Sequence, residues 1–127
     1  MERVKSHRDL DVWKEAMELV KTVYQLTSSF PQSELYGLTA QLRRAAVSVP
    51  SNIAEGAARD SKREFVQFLH IALGSLAELE TQTLLAKELF NCDTKELESS
   101  LARLRKMLIG LIRSLQRKPE GGGPNAG

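Results

Sequence analysis

A chain of 127 residues, 42% of them apolar, has room for one domain around one modest core and none for a second. Its formal net charge of +2, from 18 basic and 16 acidic residues, is too small to argue by itself for a nucleic-acid partner. The single cysteine, Cys92, excludes an internal disulfide framework and fits a reducing compartment, and no apolar run approaches about 18 residues, so the expectation is a soluble cytoplasmic protein without a membrane partner.

Leu, Ala, Glu, Lys and Arg dominate and aromatics are scarce, an all-α composition. Residues 1–8 have no apolar centre that could serve as a signal peptide, and they read as a flexible, basic arm. The first amphipathic segment carries Trp13, Ala16, Met17, Val20, Val23, Tyr24 and Thr27, flanked by Leu19 and Leu26, and ends at Phe30-Pro31 because the residue before a proline leaves the α region. The second carries Leu35, Leu38, Leu42, Ala45, Ala46, Val49 and Ile53, with Gly56 and Arg59-Asp60-Ser61 as its stop. Pro50 lies inside it, lacks a backbone donor and would clash with the carbonyl of Ala46, which predicts a kink or break near Val49.

The third segment is the clearest: Phe65, Leu69, Ala72, Leu76, Leu79, Thr83, Ala86 and Phe90 alternate spacings of four and three, the pattern of a packing seam. Ser61 with Glu64 should cap its start, and Asp93 with Glu96 the start of the fourth. That last helix repeats the seam with Leu97, Leu101, Leu104, Leu108, Leu111 and Leu115, widened by Ile112. Short connections between four helices imply an antiparallel up-down-up-down bundle over residues 9–118, and the Gly-rich stretch at 119–127 has nothing to bury and reads as a disordered tail.

No constellation for catalysis emerges. A di-metal bundle needs a Glu-x-x-His pair on each of two helices, but the residue three before His70 is Gln67, and His7 lies in the arm. Glu78 and Glu80, two apart on a helix, point to different faces. Neither a nucleophile with an oriented base nor a phosphate-cradling glycine loop is present, so the expectation is a non-enzyme with no metal and no cofactor. Cys92 reads as a small, inert thiol near a helix start.

Two stretches remain. In residues 41–59, Ser48, Ser51 and Asn52 are suited to bond backbone groups freed by Pro50, and Arg44 could pair with Glu55 or Glu78. The polar set of Gln41, Arg43, Arg44, Ser48, Pro50, Asn52, Glu55, Gly56 and Arg59 then serves the kink and a subunit contact; the competing reading is a ligand surface made by Arg43, Arg44, Asn52 and Arg59. Between Arg103 and Lys118 there are six basic residues and no acidic one. At about 100° per residue, Arg103, Lys106, Arg113 and Arg117 share a narrow sector opposite the leucines, with Gly110 between them. They complement the helix dipole, or they contact phosphates.

The segments Leu10-Asp-Val-Trp13-Lys-Glu-Ala16, Phe30-Pro31, Gln41 to Arg59 and Phe65 to Gln82 together resemble a bacterial four-helix-bundle family first noticed as open reading frames within intervening sequences of large-subunit ribosomal RNA genes. The resemblance spans about Leu10 to Leu115. It implies a ring of five identical subunits, and, through the related accessory proteins of diversity-generating retroelements, nucleic-acid binding or partnership with a reverse transcriptase. The expectation is therefore a homopentamer that binds RNA or DNA weakly through Arg103, Lys106, Arg113 and Arg117. The alternative is a protein-interaction scaffold for a mobile-element reverse transcriptase.

Overall fold

The computed structural model describes residues 6–117. Four helices, α1 (Asp11–Thr27), α2 (Leu38–Ala57), α3 (Lys62–Phe90) and α4 (Lys95–Gln116), pack in chain order as an up-down bundle, and α4 closes on α1. The reading of residues 1–8 as a flexible arm lies outside the described residues for 1–5. His7 begins a single 3-10 turn, His7–Asp9, and its ring meets that of Trp13 edge-on at 5.0 Å. The expected disordered tail, 119–127, also falls outside them.

The core is the leucine seam that the spacing predicts. Leu69, Leu79, Leu97, Leu104 and Leu108 are fully buried together with Leu19, Leu42 and Ile53, and Thr83 joins them by returning its hydroxyl to the Leu79 carbonyl at 2.7 Å. That bond inside its own helix lets a polar residue lie in an apolar layer without an unmet donor. On α1 the outcome differs from the expected stripe. Val12, Ala16, Leu19, Val23 and Thr27 face the core, whereas Met17 and Tyr24 are exposed at 38% and 43%. A helix with two adjacent apolar stripes can bury only one centrally, and the other is left along the α1–α2 groove.

Several boundaries shift for local reasons. α1 ends at Thr27, before Phe30-Pro31, and the Ser28 and Ser29 hydroxyls donate back to the carbonyls of Gln25 and Leu26. Phe30 then packs on Phe90 at 4.9 Å between ring centroids. Leu35 lies outside α2 and is exposed; the helix opens at Leu38, whose amide donates to Glu34 Oε1 at 3.1 Å. Ser61 caps α3 as expected, its hydroxyl accepting from the Glu64 amide at 3.1 Å. Asn91, with φ 51°, ends that helix in the left-handed region that Asn tolerates.

At the start of α4, Thr94 rather than Asp93 is the residue before the helix, and Asp93 Oδ1 accepts from the Lys95 amide at 3.0 Å. Thr94 is buried and donates to Glu98 Oε2 at 2.5 Å. That bond, with Lys87 3.6 Å from the same oxygen, holds the Glu98 carboxyl below the usual carboxylate range.

The second helix carries two corrections. It runs unbroken through Pro50, so the break that proline invites is not taken. Packing of α2 against both α1 and α3 holds the run together where propensity alone would interrupt it. Gly56 does not stop the helix either: it is buried inside α2, and a Cβ there would lie 2.8 Å from Phe68 Cβ, 2.9 Å from Phe65 Cδ1 and 3.2 Å from the Phe65 carbonyl oxygen. Glycine is present because the helices touch at this point.

Gly56→Ala should therefore lower stability by about 1–3 kcal/mol, the usual cost of forcing extra atoms into a packed site. Gly74→Ala, where a Cβ meets nothing within 4 Å, should instead be neutral or raise stability by up to about 1 kcal/mol. Denaturant melts of the two variants check this; equal effects would remove the close approach as the explanation.

Candidate nucleic-acid interface

The basic half of α4 follows from how its first half is spent. Glu96 and Glu98 occupy the first turn, where carboxylates favour the helix dipole, and the leucine stripe fixes the rotation, so the cations of the second half are turned outward. Arg103, Lys106, Arg113 and Arg117 are all exposed. The structure separates them into three kinds.

Arg103 is tied down. Its Nη2 and Nε donate to Glu15 Oε2 at 3.0 and 3.3 Å, joining α4 to α1 and neutralising its charge locally. Lys106 and Arg113, seven residues and so about 10 Å apart along the axis, form no ion pair within the described residues. Arg117 follows the last helical residue with an extended backbone (φ −68°, ψ 132°), so helical geometry no longer fixes its direction. The contiguous cationic face is thus narrower than the four-residue stripe.

The 41–59 motif is divided by α2 itself. Arg43 faces α1: its Nε donates to Thr27 Oγ1 at 2.9 Å, and its guanidinium lies 4.4 Å from the centroid of Tyr24. Pro50 is buried on the same side, in a groove of about 330 Å³ with Trp13, Met17, Val20 and Val47. Toward α3, Ser48 Oγ shares a 2.7 Å hydrogen bond with Ser75 Oγ, and Asn52 Nδ2 donates to the Ser48 carbonyl at 2.8 Å and to its hydroxyl at 3.0 Å. These polar groups serve the α2–α3 contact and one another, rather than the Ala46 carbonyl that Pro50 frees. Ser51 is exposed and takes no part.

Glu55 pairs with Arg59 at 3.9 Å, and Arg59 lies 4.7 Å from the Phe68 ring. Arg44, exposed, pairs with neither Glu55 nor Glu78. Gln41 borders a different groove, of about 470 Å³, with Gly74, Glu78, Gln82 and Leu85. Arg43 and Asn52 are on opposite sides of α2, so the four-residue ligand surface of Arg43, Arg44, Asn52 and Arg59 does not form.

Three features escape the sequence reading. Glu15, the partner of Arg103, is 88 residues away and carries no local signal. Gln82 is 7% exposed, and its Oε1 has no hydrogen-bond partner. Ile71, Leu84, Leu85 and Leu89 stand exposed on α3 outside its core seam. The signal for these four is present in the sequence: α3 is apolar on more of its circumference than α2 and α4 together cover.

Among the described residues no three His, Cys, Asp or Glu side chains come together to hold a metal ion, and no helix is long and apolar enough to cross a membrane. His70 is exposed, and Cys92 is half-buried, its thiol 3.6 Å from the Ala86 carbonyl oxygen.

The α2–α3 polar contact gives a direct prediction. Asn52→Ala leaves Ser48 without its side-chain donor and should cost about 1 kcal/mol, with Ser75→Ala similar. The double variant should cost less than the sum of the two, because both act on one network. Strict additivity in chemical denaturation would show that they do not.

Residues 8–110 match the family model described as 23S rRNA-intervening sequence protein. A crystal structure at 1.70 Å resolution of a protein of unknown function from the S23 ribosomal protein family of Bacteroides thetaiotaomicron VPI-5482 shares the fold, with a TM-score of 0.71 and 23% identity over 80% of this chain and 95% of that one. Comparison with curated proteins gives no match.

Proposed function

The chain belongs to the 23S rRNA-intervening sequence protein family, and on that premise we propose that it is a non-enzymatic, homo-oligomeric four-helix protein that binds RNA or DNA weakly through the phosphate backbone. The observation that carries this is the cationic face of α4, where Lys106 and Arg113 are exposed and form no ion pair among the described residues. Attraction of this kind does not depend on sequence and weakens as salt rises. One subunit offers few phosphate contacts, and a closed ring, five copies in the proposed form, repeats them and raises avidity without new chemistry.

Self-association has its own support. Ile71, Leu85 and Leu89, within about 40° of one another around α3, and Met17 and Val47 in the α1–α2 groove are apolar and exposed in the single chain. An apolar row of this kind along one helix face is a surface that a second subunit can cover. The same apolar faces favour the second reading, a scaffold for a protein partner such as a mobile-element reverse transcriptase.

The two readings separate in one experiment. Replacing Lys106, Arg113 and Arg117 by Glu should reduce affinity for labelled RNA at least tenfold at low salt and flatten the salt dependence by about one unit of slope for each phosphate no longer neutralised. Arg103→Glu should also disturb the bundle through Glu15, so it is measured separately by thermal melting. Fluorescence anisotropy across a salt series provides the affinities. Unchanged binding in the triple variant would remove α4 as the interface, and no binding by the natural protein would leave the scaffold reading.

A further inference from the structure

We infer that the end of the bundle where α1 turns into α2 is a second contact for a single nucleic-acid strand, in which Arg43 holds a backbone phosphate and Tyr36 stacks on a base. This rests on the nucleic-acid reading above. It concerns different residues, at the opposite end of the chain from the second half of α4.

Arg43 is held from two directions. Its guanidinium lies on the Tyr24 ring, and its Nε is fixed by Thr27 Oγ1, a 3% exposed residue whose hydroxyl is itself anchored to the Val23 carbonyl at 2.8 Å. An arginine held at its Nε and across its face still presents the Nη donors that pair with two oxygens of one anion. No described carboxylate forms an ion pair with it. A cavity of about 290 Å³ opens beside it, lined by Ser28, Phe30, Gln32, Leu35 and Thr39 among others and by no acidic residue. The acidic side chain closest in the connecting turn, Glu34, accepts from the Leu38 amide and does not line the cavity. Much of the ordering cost of the arginine has therefore been met before any anion arrives.

The aromatic residues decide between a phosphate and a bare carboxylate. The chain has two tyrosines, and both lie at this end: Tyr24 under the guanidinium, and Tyr36, 92% exposed, immediately after the cavity residue Leu35. Proteins hold single strands with a cation on the backbone and a solvent-facing ring on a base, and the turn that borders the cavity of Arg43 carries such a ring at Tyr36. The α4 face has no aromatic side chain of this kind. It can hold only phosphates, whereas the α1–α2 end can also bind a base.

The test uses the full-length protein and a fluorescein-labelled oligouridylate of about ten nucleotides, within the span of one stacking platform. An abasic strand of the same length is the control. Tyr36→Ala should weaken oligouridylate binding at least fivefold and leave abasic binding unchanged, since only the stacking on the base is removed. Arg43→Gln should weaken both strands about tenfold and reduce the salt slope by about one. Because Arg43 also packs on Tyr24, its variant is checked by thermal melting and sedimentation, and Arg43→Lys, which keeps the charge but not the fork, should recover only part of the affinity.

If the natural protein binds and both variants bind as well as it does, this inference is wrong while the proposed function stands. If Arg43→Gln changes the sedimentation coefficient but not the affinity, the arginine is a subunit contact and the inference again falls. Failure of the natural protein to bind either strand at low salt overturns both readings together.

Discussion

The close approach of α2 to α3 at Gly56 sets the rotation of everything else. With Phe65 and Phe68 pressed against the place where a Cβ would be, α2 can present only that edge to α3. Ser48, two turns earlier on the same edge, then meets Ser75, and the apolar stripe of Leu42, Ala46, Val49 and Ile53 is turned inward. The remaining faces follow by geometry. Arg43 and Pro50 fall toward α1, and Arg44 is left in solvent. A small residue at one crossing thus decides which side chains of a 20-residue helix are structural and which are free to bind.

That division explains why one helix holds so many polar residues at so little cost. Ser48, Asn52 and Ser75 satisfy one another across the interface, and Thr27 and Arg43 do the same across the other. Buried polar groups that are paired specify a register, because a slip by one residue would leave each of them unpaired. Pro50 fits the same logic. Its ring joins the α1–α2 groove as apolar surface, and packing on both sides of α2 offsets the hydrogen bond that proline cannot make.

The fold is legible in the sequence because it rests on period. The centres of the α3 and α4 seams, Leu69 to Ala86 and Leu97 to Leu108, can be read from the spacing, while their ends at Phe65, Phe90, Leu111 and Leu115 are only half-buried, and the Ser61 cap lies where its spacing with Glu64 puts it. The readings that fail are those that need a partner from elsewhere in the chain. Gly56 looks like a helix stop until Phe65 and Phe68 are placed beside it. Trp13, Met17, Val20 and Tyr24 have the same period as Val12, Ala16, Leu19 and Val23, and only the positions of α2 and α4 decide which set is central. For the candidate site, the charges and their exposure can be read from position along α4. The pairing of Arg103 with Glu15 and the seating of Arg43 on Tyr24 cannot, because each joins helices whose relative rotation no local pattern encodes.

The charge distribution argues further for multiplicity. A net charge of +2 spread over a whole chain gives little long-range attraction to a polyanion, so any affinity has to come from local clusters repeated in space. In one subunit Arg43 lies in the second turn of α2 and Arg113 in the last turn of α4, near opposite ends of the bundle, with Lys106 midway along α4. The proposed ring would bring like sites of neighbouring subunits into a repeated circle, where a strand leaving one would find the next at high effective concentration. The exposed apolar residues of α3 then have a consistent place in the same scheme. They would be the surface that builds the array, while the cations that act through it need only be individually weak.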